Sequence, residues 1–142
     1  MQQDPVLREA YPVQANDFVK AGEVSAVIKR TLRLLGVDAV VLRRVSVASY
    51  EVELNMIIHS VGGRLTLEVA DHCVRIISED DGPGIPDIDM AMREGYSTAS
   101  EDVRSMGFGA GMGLPNMKRN ADAFEIQSTP GVGTRIQMEF AF

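Results

Sequence analysis

Residues Ser105–Arg119 read "SMGFGAGMGLPNMKR". Glycine stands at every second position from Gly107 to Gly113, and the chain then takes on a helical pattern. Bare backbone just before a helix start suits an anion: N–H groups at a helix N-terminus bind phosphate, and glycine lets a ligand come close. Alone, the run is a generic anion cradle, with a flexible surface loop as the equal alternative. No G-x-x-x-x-G-K-[ST] string exists, so it is not a Walker A loop. The segment before Gly107 reads as loop, which also fits a dinucleotide fingerprint poorly.

Two further segments carry chemistry. In "EDDGPGIPD", residues 79–87, Asp80 ends a β-rich run and is followed by Gly82 and Gly84. A carboxylate there can accept from an exocyclic amine such as adenine's, and glycines let a flat ring lie on the backbone. The plainer alternative is a tight acidic turn. In "YEVELNMIIHS", residues 50–60, Glu51 and Asn55 are four apart and share a helix face. A carboxylate can serve as general base, and an amide oxygen one turn on can ligate Mg²⁺. Two solvated polar residues are the plainer alternative.

Around these lie ordinary elements. "REAYPVQ" (8–14) reads as a lead strand, with Pro12 favouring an edge. Asp17 is placed to cap "FVKAGEVSAVIKRTLRLLG", where Val24, Ile28, Leu32 and Leu35 form an amphipathic stripe and Gly36 a stop. The valine-rich stretch after Asp38 is ambiguous between strand and helix. Helix is preferred, because Val41, Val45, Leu54, Ile57 and Ile58 can share one broad face. "RLTLEVA" and "CVRIISED" predict an antiparallel hairpin, as do "FEIQS" and "RIQMEFAF" around "TPGVGT". "IDMAMREG" predicts a short helix, and residues 96–111 a ligand-covering loop. The whole predicts a two-layer α/β sandwich with a mixed sheet.

The chain has 142 residues, 45% apolar and 24% charged, which predicts one globular domain over residues 1–142. A net charge of −6 disfavours nucleic acid as the main partner. Cys73 is the only cysteine, so no internal disulfide forms, and His59 and His72 are too few for a typical metal centre. No run approaches a membrane span, and no secretory pattern opens the chain, so the expected location is cytoplasmic.

Taken in order, Glu51…Asn55, Asp80-Asp81-Gly82-Pro83-Gly84, Gly111-Met112-Gly113-Leu114 and Gly133-Thr134 resemble the GHKL ATPase superfamily with its Bergerat ATP-binding fold. Each motif is weak, but the ordered set is specific, and the likeness runs from about Asp17 to Phe142. Within the superfamily the chain looks most like the small bacterial serine kinases of sigma-factor regulation, the anti-sigma-factor and RsbT-type switch kinases. The resemblance implies a mostly antiparallel mixed sheet covered on one face by helices. It implies ATP and Mg²⁺ as cofactors. Asp80, Gly82, Gly84, Ile85 and Thr134 would shape the adenine site. Gly109, Gly111, Gly113 and Leu114 would cradle phosphate, Asn55 would hold Mg²⁺, and Glu51 would be the general base. Residues 96–109 would be the lid.

The implied activity is serine/threonine protein kinase, with a regulatory STAS-domain antagonist as substrate and a sigma factor as a further partner. A homodimer is compatible with it, and residues 18–35 would carry partner contacts. Two alternatives stand beside it: an ATP-loaded docking module with little kinase activity, and a detached histidine-kinase catalytic domain. The chain departs from the RsbT type in a longer spacer, "ASEDVRSM" (99–106). Lys118 and Arg119 read as a solvated helix end, His59 as packing or capping, His72 as a turn residue and Cys73 as buried and inert. Met106, Met112 and Met117 read as core, with adaptable packing near the lid as the alternative.

Overall fold

The computed structural model describes residues 5–59, 62–85, 87–93 and 113–142. Strand β1 (Leu7–Val13) is the lead strand and lies at a sheet edge, where Pro12 is tolerated. Asp17 caps a 3-10 turn, Phe18–Lys20, accepting from Lys20 N at 3.4 Å. It does not cap the α-helix, as the sequence had suggested. Helix α1 (Glu23–Leu34) starts after Gly22, and its free N–H groups are met from the next helix by Glu53. Ile28 and Leu32 of the expected stripe are fully buried and Val24 packs partly against the core. Leu35 is 53% exposed, because the helix ends at Leu34 and Gly36 turns the chain at φ 79°.

The ambiguous valine-rich stretch is helix α2 (Ala39–His59). Asp38 opens it, its Oδ1 accepting from Val40 N at 2.7 Å. Val41, Val45, Ala48, Val52 and Met56 form its buried face. Leu54 and Ile58, expected on that face, are only half-buried. Nine residues of α-helix bring Leu54 round to the side opposite Val45.

Strands β2 (Gly63–Val69) and β3 (Cys73–Asp80) form the first predicted hairpin. A four-residue helix, α3 (Ile88–Ala91), follows, capped by Asp87. Helix α4 (Gly113–Asn120) leads into the second hairpin, β4 (Ala123–Thr129) and β5 (Gly133–Ala141). The sheet order is β1-β2-β3-β5-β4. Every strand pairing among the described residues is antiparallel, so the sheet is not mixed as expected.

The two faces of the sheet differ by strict alternation. Leu65, Ser78 and Ile136 sit side by side on one rung, as do Leu67, Ile76 and Met138, and then Val69, Val74 and Phe140. These rungs are buried with the inward residues of α1, α2 and α4. The alternate residues carry charge. Glu68 pairs with Arg8 at 3.5 Å and with Arg75 at 2.8 Å, and Arg75 with Glu139 at 3.3 Å. That face is a polar ladder, which leaves the helical side to build a site.

Candidate functional site

The last rung of the helical face is Gly63, Asp80, Thr134 and Ser128, neighbours across β2, β3, β5 and β4. Asp80 Oδ1 accepts from Gly82 N at 3.1 Å and from Thr134 N at 3.3 Å. Thr134 Oγ1 lies 2.8 Å from Ser128 Oγ, and Ser128 Oγ accepts from Ile85 N at 2.6 Å. The loop 82–85 is thereby tied to the sheet at both ends. At Gly84, φ is 83° and a Cβ would stand 2.6 Å from the Thr129 carbonyl oxygen, so glycine is required there. Burial raises the Asp80 pKa, the Thr134 N–H lowers it, and Asp81 raises it further.

Asp80 and Thr134 face a cavity of about 40 Å³. Val52, Met56, Ile85 and Ile136 give it apolar walls, and Asn55, Ser78 and Asp80 give it polar edges. Such a slot suits a flat ring with one hydrogen-bonding edge. A second cavity, about 830 Å³, shares Asp80 and Thr134 but draws its lining from Arg64, Glu79, Gln127 and Arg135 on the polar face. Among the described residues, none from α2 lines it. The smaller cavity is the one that adjoins Asn55 and α2.

Glu51 and Asn55 point from α2 toward the start of α4. A Cβ at Gly113 would lie 3.4 Å from Glu51 Oε2 and 3.5 Å from Asn55 Oδ1. Two separate motifs, Glu51…Asn55 and the glycine run, therefore meet at one place, and Asn55 also lines the Asp80 cavity. Leu114 is buried beneath them, and Met117 lies in the core. Glu51 is half-buried; burial raises its pKa and a hydrogen bond from Asn116 Nδ2, at 3.4 Å, lowers it.

Gly109, Gly111, Met106, Met112 and the expected lid 96–109 lie outside the described residues, as does the His59 side chain. His72 is in the β2–β3 turn. Cys73 is half-buried rather than buried, and burial pushes its thiol pKa up, which keeps it unreactive. Lys118 and Arg119 are exposed at the end of α4. Sequence reasoning missed Ser128, Asn116 and Glu53. Ser128 had a signal, since the β4–β5 register places it opposite Thr134. The other two act between helices and had none. Among the described residues no helix is long and apolar enough to cross a membrane.

Sheet, helices and convergent motifs define an ATPase of the histidine kinase-, DNA gyrase B- and HSP90-like family, whose profile matches residues 42–142; the chain belongs to that family. Within it, the chain is 39% identical over 125 residues to serine/threonine-protein kinase RsbT of Bacillus subtilis (strain 168), covering 85% of this chain and 86% of that one. It is 34% identical over 99 residues to the anti-sigma F factor of Caldanaerobacter subterraneus subsp. tengcongensis, covering 66% of each. Among solved structures, the RsbU and RsbW domains of a Mycobacterium tuberculosis protein superpose with a TM-score of 0.60 at 16% identity, over 94% of this chain and 32% of that one. The SiaB–SiaC complex of Pseudomonas aeruginosa gives 0.55 at 10% identity, over 99% of this chain and 92% of that one. At those identities the two structures speak for the fold.

Proposed function

We propose that the chain acts as one ATP-binding unit, a serine/threonine protein kinase of the anti-sigma-factor or switch type. It would transfer the γ-phosphate of ATP to a hydroxyl on a regulatory protein of the STAS-domain antagonist class. The observation that carries this reading is the meeting of Glu51, Asn55 and Gly113 beside the Asp80 cavity. A pure docking module has no need of a carboxylate at that point. The likeness to RsbT and to anti-sigma F factors supports a protein acceptor.

The residues fit the ligands. Asp80 bonds within the chain through Oδ1, and among the described residues none of its bonds falls on Oδ2. Oδ2 is the acceptor for an adenine amine, and Gly82, Gly84, Ile85 and Thr134 frame the ring. Asn55 Oδ1 is a hard oxygen, the ligand type Mg²⁺ takes alongside phosphate oxygens and water. Mg²⁺, when bound, neutralises charge on the phosphates. Gly113 and the N–H groups opening α4 would cradle the phosphates, and Gly109 and Gly111, outside the described residues, are assigned to that cradle from the sequence motif alone. Leu114 anchors that helix start in the core.

Glu51 then takes the proton of the acceptor hydroxyl. The acceptor's hydroxyl oxygen bonds to phosphorus as the bond to the departing ADP oxygen breaks. Partial burial raises the Glu51 pKa, which makes it a better base than a solvated carboxylate. A protein partner would find exposed apolar side chains in the 18–35 region: Val19 is 97% exposed and Leu34 83%.

The test is Glu51→Gln. ATP affinity by calorimetry should hold, while transfer to a STAS-domain acceptor falls about 100-fold or more. An acid-labile phosphoproduct would instead mark phosphohistidine and the histidine-kinase alternative. Transfer by Glu51→Gln at the wild-type rate would remove the base assignment.

A further inference from the structure

We infer that Asn116 on α4 is a positioning residue that aims Glu51, so that the phosphate-binding helix and the general base are set by one side chain. This rests on the reading of Glu51 as the base.

The geometry leaves Asn116 one orientation. Its Oδ1 accepts from Arg119 Nη1 at 3.1 Å, and its Nδ2 donates to Glu51 Oε1 at 3.4 Å. Turning the amide over would set an NH₂ group against a guanidinium and an amide oxygen against a carboxylate. Both contacts would be repulsive. The backbone is held as well, because the Asn116 carbonyl accepts from Asn120 Nδ2 at 2.8 Å.

The division of labour on Glu51 follows. Oε1 is engaged by Asn116, and Oε2 is the oxygen near Gly113, where Asn55 Oδ1 also arrives. A carboxylate held by one oxygen presents the other in a fixed direction. Without that hold, a glutamate side chain with three rotatable bonds would sample other rotamers. The 3.4 Å length is loose, and catalytic hydrogen bonds often shorten only in the loaded state. Asn116 lies one turn into the helix whose first residue, Gly113, abuts the site. Seating an anion at the start of α4 therefore also sets the residue that aims the base.

The experiment uses the full chain, Mg·ATP and water as the acceptor, with Asn116→Ala, Glu51→Gln and the double variant. Three readouts are taken: ATP affinity by calorimetry, single-turnover hydrolysis, and the ¹⁵N side-chain amide resonance of Asn116 in wild type and in Glu51→Gln. Asn116→Ala should keep ATP affinity within about twofold and slow turnover about 10-fold, the scale of losing a group that orients a functional side chain. The double variant should be no slower than Glu51→Gln alone, since Asn116 acts through Glu51. The Asn116 amide resonance should shift in Glu51→Gln more than that of Asn120.

Multiplying effects in the double variant, or lost ATP affinity in Asn116→Ala, would overturn the positioning role and leave the base assignment standing. Unslowed turnover in Glu51→Gln would overturn both. If water proves too poor an acceptor to show turnover, the amide resonance decides, and an unmoved Asn116 signal overturns the inference.

Discussion

Glu53 Oε1 accepts from the backbone N–H of Ser25 at 2.9 Å, and through this pair α2 closes the start of α1. Oε2 takes the N–H groups of Gly22 and Val24, both at 3.2 Å. The carboxylate is 2% exposed, so three orphan donors of a helix N-terminus are met by one buried anion on another helix.

Removing that anion should cost stability. Glu53→Ala leaves the three N–H groups without a partner and is expected to lose about 3 kcal/mol. Glu53→Gln keeps an acceptor oxygen and should lose about 1 kcal/mol. Urea unfolding of both variants checks this. Equal losses would mean that packing volume, and not the carboxylate, holds α1.

Asp80 should make the unliganded protein more stable in mild acid. Burial raises its pKa, so the folded chain holds the proton more tightly than the unfolded chain, whose value is about 3.9. Stability is then greatest below the unfolded value and is lost as pH rises through the raised native one. Glu51 is raised by burial as well and acts in the same sense. Asp122 is lowered, first by the Ala141 N–H and then by Arg44, so its contribution is lost only as pH falls below about 4. Asp80→Asn should flatten the loss of stability as pH rises above about 4 and weaken ATP binding about 10-fold or more. Thermal melts across that range and a calorimetric titration read the two effects. A variant that keeps the wild-type slope contradicts the assignment.

Gly113→Ala separates folding from binding. Its Cβ would meet Glu51 Oε2 and Asn55 Oδ1 at ordinary contact distance, so the apo protein should fold at least as well as wild type. The methyl would stand where the anion is proposed to sit, and nucleotide affinity should fall about 10-fold or more. At Gly133 the same change would drive a Cβ into the Asp80 carbonyl oxygen, and there the fold itself should suffer. Melting and ATP titration of the pair distinguish them. Unchanged ATP affinity in Gly113→Ala would move the phosphate site away from α4.

Much of this was legible because it is local. The β-rich runs at 64–70, 73–80 and 135–142 were legible as strands of two hairpins, because β-rich composition between turn residues is a local signal. Gly84 was readable because few residues tolerate its backbone position, and Asp80 because an acidic residue stands between a β-rich run and that glycine loop. The cap of α1 was misplaced at Asp17, since a sequence shows nearby capping oxygens and not one on another helix. The face of α2 was drawn too wide for a like reason. Its stretch is apolar on several sides, and only packing against α1, the sheet and α4 selects which side is core.

From residues alone came the strands, the order of the motifs and the chemistry each can perform, because side-chain type and short-range spacing set those. Tertiary structure alone decided that Glu51, Asn55 and Gly113 meet at one point, that Ser128 ties loop 82–85 to the sheet, and that Asn116 reaches the base. Those contacts join residues far apart in the chain. Their geometry exists only once α4 has packed along α2 and the sheet has set its register.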